Sequence, residues 1–238
     1  MSIRPATPAD QIRMSQLAAT AFFDDELFGD WIHPNRNQYP EDVHLYWLKR
    51  LRKGWDLPFN HFLVTTVQDP EEGEVVTGMA QWMRKGEGGA GAPGMEEVEK
   101  KRGEEVEAEL EREGLRNRAA DPKMEDCLER GIRLLPITGK IGVLMDGTGK
   151  RRECYDLTWL AVDPHYQGHG HGAKLVKWGL DRADAENVAV SIISAEGKER
   201  FYEKCGMTRI DARAGDGEGI RWRGKGRAIL FRDARVST

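Results

Sequence analysis

Three glycines at alternate positions, Gly168, Gly170 and Gly172, stand between an apolar run and an amphipathic one. The run Asp156 to Asp163 (D-L-T-W-L-A-V-D) reads as a strand, and Pro164 ends it. From Ala173 to Ala185, Leu175, Val176, Leu180 and Ala183 fall on one side of a helix; Lys174, Lys177, Asp181 and Arg182 fall largely on the other. Strand, glycine loop and helix make a phosphate-binding geometry. Glycines admit close backbone approach, successive N–H groups point at the oxygens, and the helix N-terminus adds partial positive charge. The loop is not a Walker loop, because Lys-Ser/Thr is missing, and not a dinucleotide fingerprint, because its glycines run G-x-G-x-G. His165, His169 and His171 flank it, either as phosphate contacts or as solvated loop residues. No metal is expected there, since His169 and His171 sit among residues the phosphate loop already uses. Cys127, Cys154 and Cys205 have no metal-ligand or C-x-x-C spacing. Cys205 reads as helix packing, with no histidine placed beside it in sequence.

What the loop does match is Q-x-x-G-x-G, carried by Gln167, Gly170 and Gly172, with Val162-x-Pro164 ahead of it. After a second apolar strand comes Phe201-Tyr202-Glu203-Lys204-Cys205-Gly206-Met207. The two motifs, in this order and at this spacing, resemble the GNAT superfamily, the Gcn5-related N-acyltransferases that use acetyl-CoA. The clear part of the resemblance covers residues 156 to 210. It implies an α+β fold: a mixed, centrally splayed sheet of about seven strands with helices on both faces. It also implies transfer of an acetyl group from acetyl-CoA to a primary amine, with no metal.

By this resemblance the pyrophosphate lies on Gln167, Gly168, His169, Gly170, His171, Gly172 and Ala173, held mostly by backbone N–H groups. Strands 156–163 and 188–195 splay apart, and the pantetheine arm pairs with Leu160, Ala161 and Val162. The N–H near Val162 polarises the thioester carbonyl. Tyr202 takes the place of a general acid beside the thioester sulfur; the alternative is a core tyrosine with its hydroxyl tied to the backbone. Asp156, eleven residues before Gln167, falls where histone-acetylating relatives place a glutamate base. Aspartate is shorter, and the alternatives are a water chain or a plain strand-start residue. The family places a small residue three before the Phe-Tyr pair; Lys198 stands there instead and is assigned to a CoA phosphate.

The elements that must position these residues read as follows. Ile3 to Ala6 is a short edge strand, and Thr7-Pro8-Ala9-Asp10 starts a helix. Residues 22 to 42 alternate aromatics (Phe22, Phe23, Phe28, Trp31, Tyr39) with acids. They form either an acceptor wall suited to a cationic amine or a core segment with solvated caps. Val43 to Arg52 is a helix whose basic end complements its C-terminus. His61 to Gln68 and Val75 to Met83 form a hairpin. Residues 84 to 150 read as an insertion within a single domain spanning 1–238. A glycine-rich linker (Gly86 to Gly91) leads to an exposed charged helix over Met95 to Arg118, then to a second helix after Asp121-Pro122 and a strand over Ile137 to Met145. This insertion is either a site cover or partner arm, or a tolerated, partly mobile surface segment. Val188 to Ser194 pairs in parallel with 156–163 across a helical crossover. Met207 to Ala212 and Arg227 to Arg232 are the last strands, joined through Asp216 to Gly219 and Gly224 to Gly226.

At 238 residues the chain buries a substantial core without staples. A formal charge of −4 gives no basic footprint for nucleic acid. No apolar run is long enough to span a membrane, and the N-terminus has no apolar signal region. The sparse, odd set of cysteines suits a cytoplasmic or nuclear compartment. The acceptor is expected to be a small-molecule amine, with a peptide or protein lysine or N-terminus as the alternative enzyme reading. A different class is a catalytically silent CoA-binding domain that recruits a partner through its insertion. The chain is expected as a monomer or homodimer.

Overall fold

The computed structural model describes residues 1–125, 127, 151–214 and 227–235. Strand β1 (Ser2–Pro5) ends at proline, and a 3-10 turn, Pro8–Asp10, leads into α1 (Gln11–Ala21). The turn is fixed by Asp10. Its Oδ2 accepts from Thr7 N at 2.7 Å and Thr7 Oγ1 at 2.9 Å, and Arg4 pairs with it at 2.8 Å. A π-helical turn, Glu26–Ile32, and helix α2 (Val43–Trp55) follow. Then come β2 (Asn60–Asp69), β3 (Gly73–Lys85), α3 (Met95–Arg112), β4 (Cys154–Val162), α4 (His171–Glu186), β5 (Ala189–Ile193), α5 (Glu199–Lys204), β6 (Thr208–Ala214) and β7 (Arg227–Arg232).

The seven strands form one sheet in the order β1-β2-β3-β4-β5-β7-β6. β4 and β5 are parallel, as the α4 crossover requires, with Cys154 to Leu157 opposite Ala189 to Ile192. β4 then runs on to Val162. β5–β7 and β6–β7 are antiparallel, with a register shift between Arg209 and Arg213.

The chain forms two compact units, and β3 and β4 each pass from one into the other. The first holds 1–81, the described residues of 93–127, and 159–175. Its core joins Met14, Leu17 and Ala18 of α1 to Trp47, Leu48 and Leu51 of α2. Of residues 22 to 42, Phe22 and Phe28 reach this core, while Phe23 and Tyr39 are half-buried under the guanidinium groups of Arg36 and Arg118. Phe22 stacks on Trp47 at 4.9 Å, and Phe28 meets Trp47 at 4.8 Å and Trp159 at 5.5 Å. The acids serve as caps and ion-pair partners. Asp25 accepts from Leu27 N and Phe28 N, Asp30 pairs with Arg36, and Asp42 pairs with Arg118 at 2.7 Å. Phe22 and Phe28 thus follow the core reading, since large aromatic surfaces stabilise most when removed from water.

The charged stretch forms a helix, α3, but not a free one. Its Val106 and Leu110 are buried where it runs along α2. Lys49 and Lys53 share Glu107 at 2.9 and 2.8 Å, and Arg52 meets Glu113 at 2.8 Å. The basic end of α2 therefore faces α3 rather than serving only its own helix end. Beyond α3, Asn117 Nδ2 sits 3.1 Å from His33 Nε2, and His33 is fully buried.

The second unit comprises the described residues 82–92, 151–158, 176–214 and 227–235. Here the glycine-rich segment is a tight turn, not an extended linker. Gly89 N and Gly91 N donate to Gly86 O at 3.0 and 2.8 Å, and Glu153 accepts from Glu87 N at 2.7 Å. A Cβ at Gly89 would lie 1.9 Å from Arg84 O, so only glycine fits. The expected second insertion helix, the strand over 137–145 and the loops at 216–219 and 224–226 lie outside the described residues.

Candidate functional site

The phosphate-type loop is built from β4 outward. Asp163 accepts from His165 N at 3.0 Å, closing the 3-10 turn Pro164–Tyr166. Arg13 Nη2 holds the same carboxylate at 2.6 Å. Burial opposes the charge on Asp163, but the hydrogen bonds from His165 and Arg13 outweigh it and keep the carboxyl below its usual pKa. Gln167 reaches back with Nε2 to Val162 O at 3.0 Å. Gly168 and Gly170 adopt φ of +80° and +86°, where side chains are disfavoured. Residues 168 to 170 are exposed and lead into the N-terminus of α4 at His171. This is an exposed glycine loop that ends on a helix N-terminus, the arrangement that favours an anion.

The loop histidines part company. His165 and His169 are exposed. The His171 ring is 3% exposed, with Nδ1 2.8 Å from Thr77 Oγ1, and Thr77 in turn donates to Thr65 O at 3.1 Å. His171 is therefore neither a solvated loop residue nor a side-chain phosphate contact. It pins the start of α4 to β3, and only its backbone remains in the loop. Burial lowers its pKa. Of the β4 residues assigned to the pantetheine arm, Ala161 is buried while Leu160 and Val162 are partly exposed. Leu160 through Ala173 lie together in the first unit; Asp156, Lys198 and Tyr202 lie in the second.

Tyr202, on α5, is buried beside Phe201, with ring centroids 4.8 Å apart. Its carbonyl accepts from Cys205 N and Met207 N. Its hydroxyl forms no hydrogen bond with another described residue, so it is not tied to the backbone within that set. Burial pushes the phenol well above its ordinary pKa, so it stays protonated. Lys198 is exposed immediately ahead of α5.

Asp156 lies directly opposite Ser191 in the β4–β5 register. Its Oδ1 accepts from Ser191 Oγ at 2.5 Å and meets Lys85 Nζ at 3.2 Å. Among the described residues, its Oδ2 receives only Thr158 Oγ1, at 3.5 Å. Cys154 Sγ is 3.8 Å from Ser191 Oγ, and burial raises its thiol pKa. Asp156, Ser191, Lys85 and Cys154 line a cavity of about 450 Å³, in the range of small-molecule sites. Arg151, Arg152, Ile229 and Phe231 also line it. The sequence reading found Asp156 but not Lys85, Ser191 or the arginines. Alternation along β4 and β5 was a usable signal; which residue faces Asp156 depends on register, which pairing fixes. Among the described residues no group of three or more His, Cys, Asp or Glu side chains is arranged to hold a metal. No described helix is long and apolar enough to cross a membrane.

Comparison with known proteins agrees with this geometry. The family model described as Acetyltransferase (GNAT) domain matches residues 134–208. The fold is similar to that of a Corynebacterium glutamicum protein of the "histone acetyltransferase HPA2 and related acetyltransferase" type. That protein is 16% identical, with TM-score 0.58, covering 100% of this chain and 98% of that one. It is also similar to an N-acetyltransferase from Staphylococcus aureus Mu50, 18% identical, with TM-score 0.50, covering 98% and 100%. No curated protein matches the sequence. The chain thus shares the fold of these acetyltransferase structures, and its residues 134–208 match the GNAT acetyltransferase domain.

Proposed function

We propose that the protein transfers an acetyl group from acetyl-CoA to the primary amine of a small molecule. The observation that carries this is the exposed loop 167–173, with two left-handed glycines running into the N-terminus of α4 inside the segment that matches the GNAT domain. Its backbone N–H groups suit the pyrophosphate of CoA, and no side chain is required of it. That fits a loop whose one buried side chain, His171, is engaged with Thr77.

In this reading Leu160 to Val162 hold the pantetheine arm by backbone pairing, and an N–H near Val162 polarises the thioester carbonyl. Asp156 receives the proton of the incoming ammonium through Oδ2, the oxygen that Lys85 and Ser191 leave open. The amine nitrogen bonds to the carbonyl carbon as the carbon–sulfur bond breaks. Tyr202 gives its proton to the departing sulfur and takes back the second proton that the nitrogen loses on becoming an amide; the protonated state that burial enforces is the state a general acid needs. Lys198, exposed ahead of α5, is free to approach a CoA phosphate.

The test is release of CoA thiol from acetyl-CoA with a panel of amino acids, polyamines, arylamines and peptides. Turnover with a free small amine supports the reading. Turnover with peptides alone transfers the activity to protein acceptors. Tight acetyl-CoA binding without thiol release for any amine makes the chain a silent CoA-binding domain.

A further inference from the structure

Within the second unit, β3, β4, β5 and β7 enclose the cavity of about 450 Å³, and its lining is not uniform. At one point an anion and a cation stand side by side: Asp156 and Lys85, 3.2 Å apart. Asp156 has one oxygen saturated by Ser191 and Lys85, while the other is nearly unengaged. The Lys85 ammonium has three hydrogens, and Asp156 uses one. Across the lining, Ile229 and Phe231 are apolar. Arg151 lies over the Phe231 ring at 4.5 Å and is held by Asp233 at 2.6 Å, which adds a second cation beside the apolar surface.

We propose that this cavity is the acceptor site and that it takes a free α-amino acid with an apolar side chain. This rests on the acetyl-transfer reading, in which Asp156 meets the incoming ammonium. An α-amino acid carries its ammonium and carboxylate one carbon apart. Asp156 Oδ2 and Lys85 Nζ offer the matching pair of opposite charges, and Ser191 fixes the Asp156 carboxylate in place. The side chain then lies over Ile229 and Phe231. A polyamine fits this lining less well, because the cations Lys85, Arg151 and Arg152 outnumber the acids Asp156 and Glu87 along it. An amine without a carboxylate would leave Lys85 with no partner beyond Asp156. A site built to pair a polar group discriminates strongly against the analogue that lacks it.

The experiment compares L-leucine with isopentylamine, the same molecule without its carboxylate, by calorimetry on the full chain saturated with CoA. Leucine is expected to bind about tenfold tighter or more, and Lys85→Met is expected to shrink the difference to about twofold while leaving CoA affinity unchanged. Lys85→Gln serves if the methionine variant loses CoA binding. Equal affinity for the two ligands in the wild-type protein, or binding of spermidine in preference to leucine, overturns the proposal. Leucine binding that depends on Lys85, without thiol release from acetyl-CoA, upholds the cavity assignment and sinks the acetyl-transfer reading instead.

Discussion

At the scale of single residues, the proposed chemistry rests on Tyr202 and Asp156, and the two were legible to different degrees. Tyr202 was legible because it sits within a contiguous motif, and its burial adds what a motif cannot: the phenol keeps its proton. A thiol leaving group has a pKa of about 8.5, so thiolate already departs fairly well and the acid supplies only part of the rate. Tyr202→Phe should therefore lower kcat by about ten- to a thousandfold and leave the KM for acetyl-CoA near wild type, as steady-state kinetics would show. An unchanged kcat, with chemistry rate-limiting, would make Tyr202 structural. Asp156→Asn keeps the shape and the Ser191 contact but cannot hold a proton. It should reduce kcat by about a hundredfold or more, with acetyl-CoA affinity by calorimetry unchanged. A variant as active as wild type would move the base elsewhere.

At the scale of elements, the glycine loop and α3 make separate claims. Gly170 is left-handed, so any side chain there costs about 1–2 kcal/mol of backbone strain. Gly170→Ala carries that strain alone; Gly170→Glu adds bulk and negative charge where a pyrophosphate is expected. Calorimetry should find acetyl-CoA affinity largely kept in the first and lost in the second. Tight binding by the glutamate variant would overturn the loop assignment. The charged stretch Met95 to Arg118 reads as an exposed helix because its apolar residues are few, yet two of them, Val106 and Leu110 of α3, are buried where it runs along α2. Leu110→Ala should cost about 2–3 kcal/mol in urea unfolding. A cost below about 0.5 kcal/mol would show that the helix contributes little to the fold. Two well-placed side chains are enough to dock a helix, and composition averages them away.

At the scale of the whole molecule, burial of titratable groups sets a pH window. His33 and His171 are both held below the 6.5 of a free imidazole, chiefly by burial. Above that pH both folded and unfolded chains are neutral at these positions, so stability is full. As pH falls through 6.5 the unfolded chain takes up protons that the folded chain refuses, and stability declines until the lower folded values are passed. Asp10, Asp42 and Asp163 are depressed in the folded state, so their contribution is present above 3.8 and lost below it. Thermal midpoints measured from pH 8 to pH 3 should fall in two stages, and His33→Asn with His171→Asn should flatten the first. A midpoint constant between pH 7.5 and 5 in the wild-type protein would show that these imidazoles do not govern acid stability.

Local order along the chain determined what contiguous residues can encode. The strand, the glycine loop and the following helix are one unbroken segment, and so is the Phe201 to Met207 motif; backbone conformation and short-range periodicity suffice to read both. The alternating pattern of β4 and β5, with a helix between them, likewise dictated a parallel pair. Only the tertiary structure decided what depends on register and on which surface meets which. The histidine inside the loop turned inward to Thr77, 94 positions away. Phe22 and Phe28 went to Trp47 and Trp159, more than ten positions away along the chain. Asp156 acquired Ser191 and Lys85, from positions 35 residues after it and 71 before it, and with them a charge pair that no stretch of sequence displays. Pairing across strands is non-local, so the partners of the Asp156 carboxylate are set by the register of the sheet and not by the residues beside it.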